Sequence, residues 1–334
     1  MQTTKVRGNY PTGICLNLCT ACNLNCTWCY NQAMPVQFLN IDDFNAFFQN
    51  IVRDHIEYIT LIGGEPTVHP DFLQILKCLE KKKVYLVSNG IKLSDINFLN
   101  SILGFNVQDI AISLKGYDDN SFYQTTCSYD FPKLCEAIHN LQEVDCRVTY
   151  SYTYSGCFTL DQMRIFTRFL LQYNIREIVL NDVRLYFDRN GKIIHSKKID
   201  NANLEYMINN LENHGIKVLF KPSNPLCDYN EYFIQKMVEK SCLISRCAIK
   251  LKQGVFFSSL LECIPCNEFS SIVLGTFKEE FATYDEFIKL WNSVEVCKFY
   301  DELSGCPSSK CSTCNLWTIC GGNCILHWMK DWEE

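Results

Sequence analysis

The 334-residue chain contains no run of about 18 apolar residues, the length a helix needs to cross a bilayer. No membrane span is therefore expected. The first eight residues, Met1 to Gly8, carry no apolar h-region and do not read as a secretory signal. These two absences point to an intracellular, cytoplasmic chain whose thiols start out reduced. An excess of positive charge is also missing, with 31 Lys and Arg against 37 Asp and Glu and a net charge of −6. That argues against a nucleic-acid partner held mainly by phosphate contacts, although a local basic groove stays open. Two things are plentiful. Apolar residues make up 47% of the chain, enough for a large core, and there are 21 cysteines. In a reducing compartment so many thiols point to metals or clusters rather than disulfides.

From Ile14 onward, short β-branched apolar runs alternate with longer amphipathic ones. Strands are expected at Ile14–Leu18, Tyr58–Ile62, Val84–Ser88, Asp109–Ser113, Arg147–Tyr152 and Glu177–Leu180. Helices are expected at Ile41–Arg53, Pro70–Lys82, Ser94–Leu103, Phe131–Val144 and Leu160–Tyr173. Such alternation reads as an α/β fold with a parallel sheet and crossover helices. The pattern alone permits either a barrel wall or a doubly wound open sheet. After Leu180 come a turn at Asp188–Lys192, a helix at Asn203–Asn213, a strand at Ile216–Phe220 and a boundary signal at Pro222–Pro225.

In parallel α/β folds, ligands gather beyond the C-terminal ends of the strands. Four such ends are chemically rich. Cys22, Cys26 and Cys29 follow strand one as C-x3-C-x2-C, with Trp28 and Tyr30 flanking the last. Gly63-Gly64-Glu65-Pro66 follows strand two, Ser88-Asn89-Gly90 ends strand three, and Ser113 and Lys115 end strand four. Three thiolates on one loop do not close a tetrahedral zinc site, but they can hold three corners of a [4Fe–4S] cluster and leave one iron open. A zinc site completed from elsewhere in the chain is the alternative.

The cysteine loop resembles the signature of the radical S-adenosylmethionine (SAM) enzymes. The resemblance implies a partial (β/α)6, TIM-like barrel in which Cys22, Cys26 and Cys29 bind the cluster and SAM chelates its fourth iron. Reductive cleavage of SAM would then give a 5′-deoxyadenosyl radical that abstracts a substrate hydrogen. Gly63, Gly64, Glu65 and Pro66 resemble the family motif that meets the methionine amino group, with Glu65 free to orient the loop instead of touching SAM. Ser88, Asn89, Ser113 and Lys115 match positions that contact ribose or the SAM carboxylate, although turn chemistry explains Ser88-Asn89-Gly90 as well. Trp28 and Tyr30 would pack the adenine or shield the cluster.

Beyond Ser241 lies a second cysteine-rich stretch, and Cys311, Cys314, Cys320 and Cys324 read C-x2-C-x5-C-x3-C. It resembles the SPASM extension, which carries auxiliary [4Fe–4S] clusters; a double zinc ribbon is the physical alternative. The resulting division is residues 1–225 as the barrel and 226–334 as a small cysteine-rich domain. By the resemblance, one auxiliary cluster uses Cys247, Cys266 and Cys324 with Cys242, and Cys263 competes with Cys266. The other uses Cys311, Cys314 and Cys320. No cysteine follows Cys324 to complete it, so Cys306 or His327 supplies the fourth ligand, the iron stays open, or only one auxiliary cluster forms. Cys15, Cys19, Cys78, Cys135 and Cys146 read as structural thiols. Cys127 and Cys157 read as buried structural thiols too, with a hydrogen-donor or thioether role as the alternative.

These motifs lead to three functions. The first is radical modification of a ribosomally made peptide. No room is expected ahead of strand one for a leader-binding domain, so a separate protein or the core would take the leader. The second is the same chemistry on a small molecule, such as alcohol dehydrogenation of a sugar or cyclitol. The third is a non-enzymatic zinc-binding protein. The enzymatic readings imply SAM, one or two auxiliary clusters, and an electron donor such as flavodoxin or ferredoxin.

Overall fold

The computed structural model describes residues 10–156, 158–183, 186–187, 193–194, 200–245 and 247–331. Strands and helices alternate as the pattern indicated: β1 (Gly13–Asn17), α1 (Ile41–Phe47), β2 (Tyr58–Ile62), α2 (Phe72–Cys78), β3 (Lys83–Ser88), α3 (Ile96–Leu103), β4 (Val107–Leu114), α4 (Asp119–Thr126), α5 (Phe131–Gln142), β5 (Arg147–Tyr154), α6 (Leu160–Gln172) and β6 (Glu177–Asp182). A short hairpin, β7 (Tyr186–Phe187) and β8 (Ile193–Ile194), pairs antiparallel. The turn expected at Asp188–Lys192 falls between these strands and lies outside the described residues, as does Cys157. Then come α7 (Asn201–Asn213), β9 (Lys217–Lys221) and α8 (Glu231–Glu239).

The parallel strands run in sequence order, β1-β2-β3-β4-β5-β6-β9. A doubly wound sheet reverses its order at a switch point. None of the strands from β1 to β9 does so, and these seven parallel strands form the wall of a partial barrel in place of the expected six. Alternate residues (Val84 and Leu86 on β3; Ile110, Ile112 and Leu114 on β4) are buried as one face of the pleat packs on the helix layer.

Local differences have local causes. The helix expected over Ile41–Arg53 stops being regular at Phe47 and continues as one π turn, Phe48–Val52. Helix α4 was not anticipated, because its sequence, Asp119-Asn-Ser-Phe-Tyr-Gln-Thr-Thr126, has little apolar periodicity. It is set by a capping box in which the Ser121 amide donates to Asp118 Oδ1 (2.7 Å) and the Asp118 amide donates to Ser121 Oγ (3.1 Å).

The C-terminal part continues the same sheet. β10 (Phe256–Phe257) pairs parallel with β1, and β11 (Glu262–Ile264) and β12 (Gly275–Thr276) extend it antiparallel. These strands cover the open edge of β1, which would otherwise offer unpaired backbone groups. Aromatic packing fixes them there. Phe47 of α1 meets Phe257 edge-on at 4.8 Å between centroids, and Phe257 continues to Phe287 at 5.7 Å. Phe287 and Trp291 belong to α9 (Tyr284–Trp291), which α10 (Val294–Ser304) and the short α11 (Trp317–Cys320) follow.

Candidate active site

The C-terminal ends of β1, β2 and β3 lock into one another. The cysteine loop leaves β1 and is received by the glycines after β2: the Gly64 amide donates to Cys19 O (2.7 Å) and the Glu65 amide to Ala21 O (2.9 Å). A Cβ on Gly64 would collide with the carbonyl oxygens of Ala21 and Thr20, and one on Gly63 would stand 2.8 Å from that of Cys19. Both glycines are thus needed for the cysteine loop to seat against β2. Further along, the Asn25 and Thr27 amides donate to Thr126 O (3.1 Å) and Thr125 O (2.9 Å), so the unanticipated α4 forms the loop's other wall.

Glu65 is the centre of the lock. It is 1% exposed. Its Oε1 accepts from Ser88 Oγ (2.8 Å), Thr67 Oγ1 (2.6 Å) and the Thr67 amide (3.2 Å), and its Oε2 accepts from the Asn89 amide (2.7 Å). Burial lifts the Glu65 pKa, and these donors pull it back. The Asn89 side chain reaches on to the cysteine loop, donating to Asn23 Oδ1 (2.7 Å) and lying 3.8 Å from Cys22 Sγ. Ser88 and Asn89 therefore hold loops together, with Gly90 in the left-handed region at φ 84°.

Within this frame, Cys22, Cys26 and Cys29 feel one another's charge. The Leu24 amide donates to Cys22 Sγ at 3.4 Å. Desolvation pushes the Cys22 thiol up to about 12, and burial raises Cys26 and Cys29 as well. Lys115, at the end of β4, pulls both Cys26 and Cys29 back down. Three neutral thiols on one loop fit a cationic iron cluster that binds them as thiolates and releases their protons. Tyr30 donates to Gly63 O (3.2 Å) and so bridges the cysteine loop and the glycine turn. Trp28 is half-buried on the same loop, and Ser113 is half-buried on β4 opposite Ser151. Cys127 is exposed and not buried as expected, because it caps α4 at φ 54°, where its charge reaches Cys26. A cavity of about 150 Å³ beside the loop is lined by Asn17, Tyr30, Gln37, Ser259, Glu262 and Asn267, among others.

The C-terminal thiols form two neighbourhoods. Cys266 feels Cys324 and Cys247, and Tyr300 sits beside Cys247, Cys266 and Cys263. The Tyr300 hydroxyl is buried with no hydrogen-bond partner, so a sulfur-rich group bound between these thiols would give it an acceptor. Cys263 itself is sealed within β11. Cys242 packs against β9: its carbonyl accepts from the Phe220 amide (2.8 Å), its Sγ faces Lys240 O at 3.5 Å and its charge reaches Lys217. Leu243 then forms a parallel bridge with Phe220 of β9. In the second neighbourhood Cys311 feels Cys306, Cys320 and Cys314. A residue that motif reading passed over joins it: Cys227 feels Cys320 and Cys311. Its only signal in the sequence was an unassigned cysteine just after the seventh parallel strand. Lys250 lies between the two sets. It is 7% exposed, donates to Gly321 O (2.9 Å), and feels Cys247, Cys320, Cys324 and Cys311. Among the described residues no three His, Cys, Asp or Glu side chains are gathered as a single metal ion would require.

The fold and the cysteine loop define a class. Residues 16–170 match the family model described as the Radical SAM superfamily. Among curated proteins, the chain is 29% identical over 139 residues to the GTP 3′,8-cyclase of Mannheimia succiniciproducens, covering 39% of this chain and 40% of that one. It is 26% identical over 165 residues to the 7,8-dihydro-6-hydroxymethylpterin dimethyltransferase of Methanocaldococcus jannaschii, covering 43% and 33%. The chain thus spans less than half the length of these curated relatives. Two solved structures resemble nearly all of it. SuiB of Streptococcus suis, bound to its precursor peptide SuiA, superposes with a TM-score of 0.71 at 15% identity over 97% of this chain and 74% of SuiB. The enzyme anSMEcpe, with bound AdoMet and the Cp18Cys peptide, superposes with a TM-score of 0.68 at 15% identity over 94% and 89%. At such identities the likeness is one of fold.

Proposed function

We propose that this chain is a radical SAM enzyme that modifies a peptide. The observation that carries the reading is the lock around Glu65, which fixes three thiols of one loop against the ends of β2 and β3. When bound to Cys22, Cys26 and Cys29, a [4Fe–4S] cluster with SAM on its open iron supplies an electron and a 5′-deoxyadenosyl radical. The protein's part is placement. Lys115 sets a positive charge near Cys26 and Cys29, suited to a carboxylate, and the turn carbonyls at Gly63 and Gly64 would suit an ammonium. Trp28 and Tyr30 give the adenine an aromatic wall. Ser113 offers a hydroxyl on the barrel's open face.

In the same reading, Cys247, Cys266 and Cys324 hold one auxiliary cluster, and Cys311, Cys314 and Cys320 hold another, in a cysteine-rich unit beginning near residue 226. Clusters held by these thiols would supply one-electron chemistry, passing an electron in from a donor such as flavodoxin or ferredoxin or taking one from the substrate. The peptide substrate is supported by the fold shared with two proteins whose structures contain peptides; a separate leader-binding protein would present it. Small-molecule chemistry is the second reading, favoured by the curated relatives that act on GTP or a pterin. Anaerobic incubation with SAM and dithionite tests the core of the proposal. The reconstituted wild type should release 5′-deoxyadenosine and Cys26→Ala should release none; equal release from both would refute it.

A further inference from the structure

The outer C-terminal thiols, Cys311, Cys314 and Cys320, supply three ligands from one short stretch. Cys306 and His327 were the candidates for a fourth, and the structure offers a different one. After β9 the chain makes a single 3-10 turn, Leu226–Asp228, that is clamped from both sides. On the barrel side, Asp182 at the end of β6 is 1% exposed and accepts from the amides of Ser223 and Asn224, the Asn224 side chain (2.9 Å) and the Tyr229 hydroxyl. On the C-terminal side there are four ties. Asn323 Nδ2 donates to Asn224 O (2.7 Å) and the Cys324 amide to Ser223 O (3.1 Å). His327 Nε2 stands 3.7 Å from Asp228 Oδ2, and the Leu226 amide donates to Cys320 Sγ at 3.4 Å. The last of these places the residue before Cys227 directly on the sulfur of the one buried thiol of the outer set.

We infer that Cys227, contributed by the barrel's own chain, is the fourth thiolate of the group held by Cys311, Cys314 and Cys320. The inference rests on the auxiliary-cluster reading above. Cys306 lies on the loop after α10, neighbours Cys311, and is the rival ligand that Cys306→Ala tests. His327 is turned towards Asp228. A ligand at Cys227 also has a structural consequence. It ties the outer cluster through Asp182 to the ends of β6 and β9, so that cluster and barrel move as one.

The test compares anaerobically reconstituted wild type, Cys227→Ala, Cys227→Ser and Cys306→Ala by iron and sulfide content and by the EPR spectrum of the reduced protein, with circular dichroism to confirm folding. Cys227→Ala should lose about four irons, or keep them with an EPR spectrum that now responds to added 2-mercaptoethanol. Cys227→Ser should keep the fold and change the spectrum, because an alkoxide replaces a thiolate. Cys306→Ala should match the wild type. Wild-type iron and an unresponsive spectrum in Cys227→Ala would overturn the inference, as would loss of the cluster in Cys306→Ala alone. A wild type holding only about eight irons would remove the outer cluster itself, and with it the inference, while leaving the reading of Cys22, Cys26 and Cys29 intact.

Discussion

The two cysteine regions of this chain are built in opposite ways. Cys22, Cys26 and Cys29 share a single loop, and the fold's task is to seat that loop against β2, β3 and α4. The C-terminal thiols come from separate elements: the stretch after β9, the turn after β11, and the segment around α11. The first region carries its chemistry in local spacing and borrows rigidity from its neighbours. The second brings its thiols near one another only through tertiary structure. For the second, spacing passes over Cys227, whose turn the chain brings beside Cys320 and Cys311.

The contrast can be broken most forcefully at Gly64. In Gly64→Val the side chain would drive the cysteine loop off its seat. A displacement of about 1 Å at a reacting centre costs on the order of 100-fold in rate, so SAM cleavage should fall at least that far while iron at the C-terminal sites is retained. Equal loss of iron at all sites would show that the two regions are not independent.

Glu65→Ala comes next. It leaves the donors on Ser88, Thr67 and Asn89 without their acceptor, at about 1–3 kcal/mol for each buried group left unpaired. The urea midpoint should fall clearly, and Glu65→Gln, which keeps the shape, should fall less. An unchanged midpoint in Glu65→Ala would mean that the lock contributes nothing.

Lys250→Met sharpens the comparison on the C-terminal side. Removing a unit charge near the thiol sets is worth about 2 kcal/mol at an intermediate dielectric, on the order of 90 mV for one electron. Spectroelectrochemical titration should show the auxiliary potentials shifted negative and that of the N-terminal cluster unmoved.

The smallest effect concerns pH. Burial pushes Cys22 and Cys266 up to about 12, so at neutral pH both are protonated before metal arrives, and binding must displace those protons. Since the free thiols are held above the working pH, raising the pH from 7 to 8.5 should favour iron uptake at both regions. Uptake that is flat across this range would argue against ligation by these thiols.

Much of this architecture was legible in the sequence. The first six parallel strands appear at their apolar runs because each carries five or more residues of clear pattern, and the C-x3-C-x2-C loop and Gly63-Gly64-Glu65-Pro66 fall at strand ends, where ligands bind. Three features were not legible. Helix α4 depends on a capping box rather than apolar period. Strand β10 is two residues long, and its place beside β1 is set by the packing of Phe257 against Phe47 and Phe287. Cys227 stands alone in sequence and gains neighbours only when Asp182 and Asn323 draw its turn towards Cys320.

The most direct test of the whole account is iron and sulfide per chain after anaerobic reconstitution, with zinc counted in the same sample. One local site and two tertiary ones predict about twelve irons and no stoichiometric zinc. About four irons with zinc present would leave the N-terminal loop as the only cluster site, and would contradict the claim that the C-terminal thiols are a second, fold-assembled iron–sulfur region.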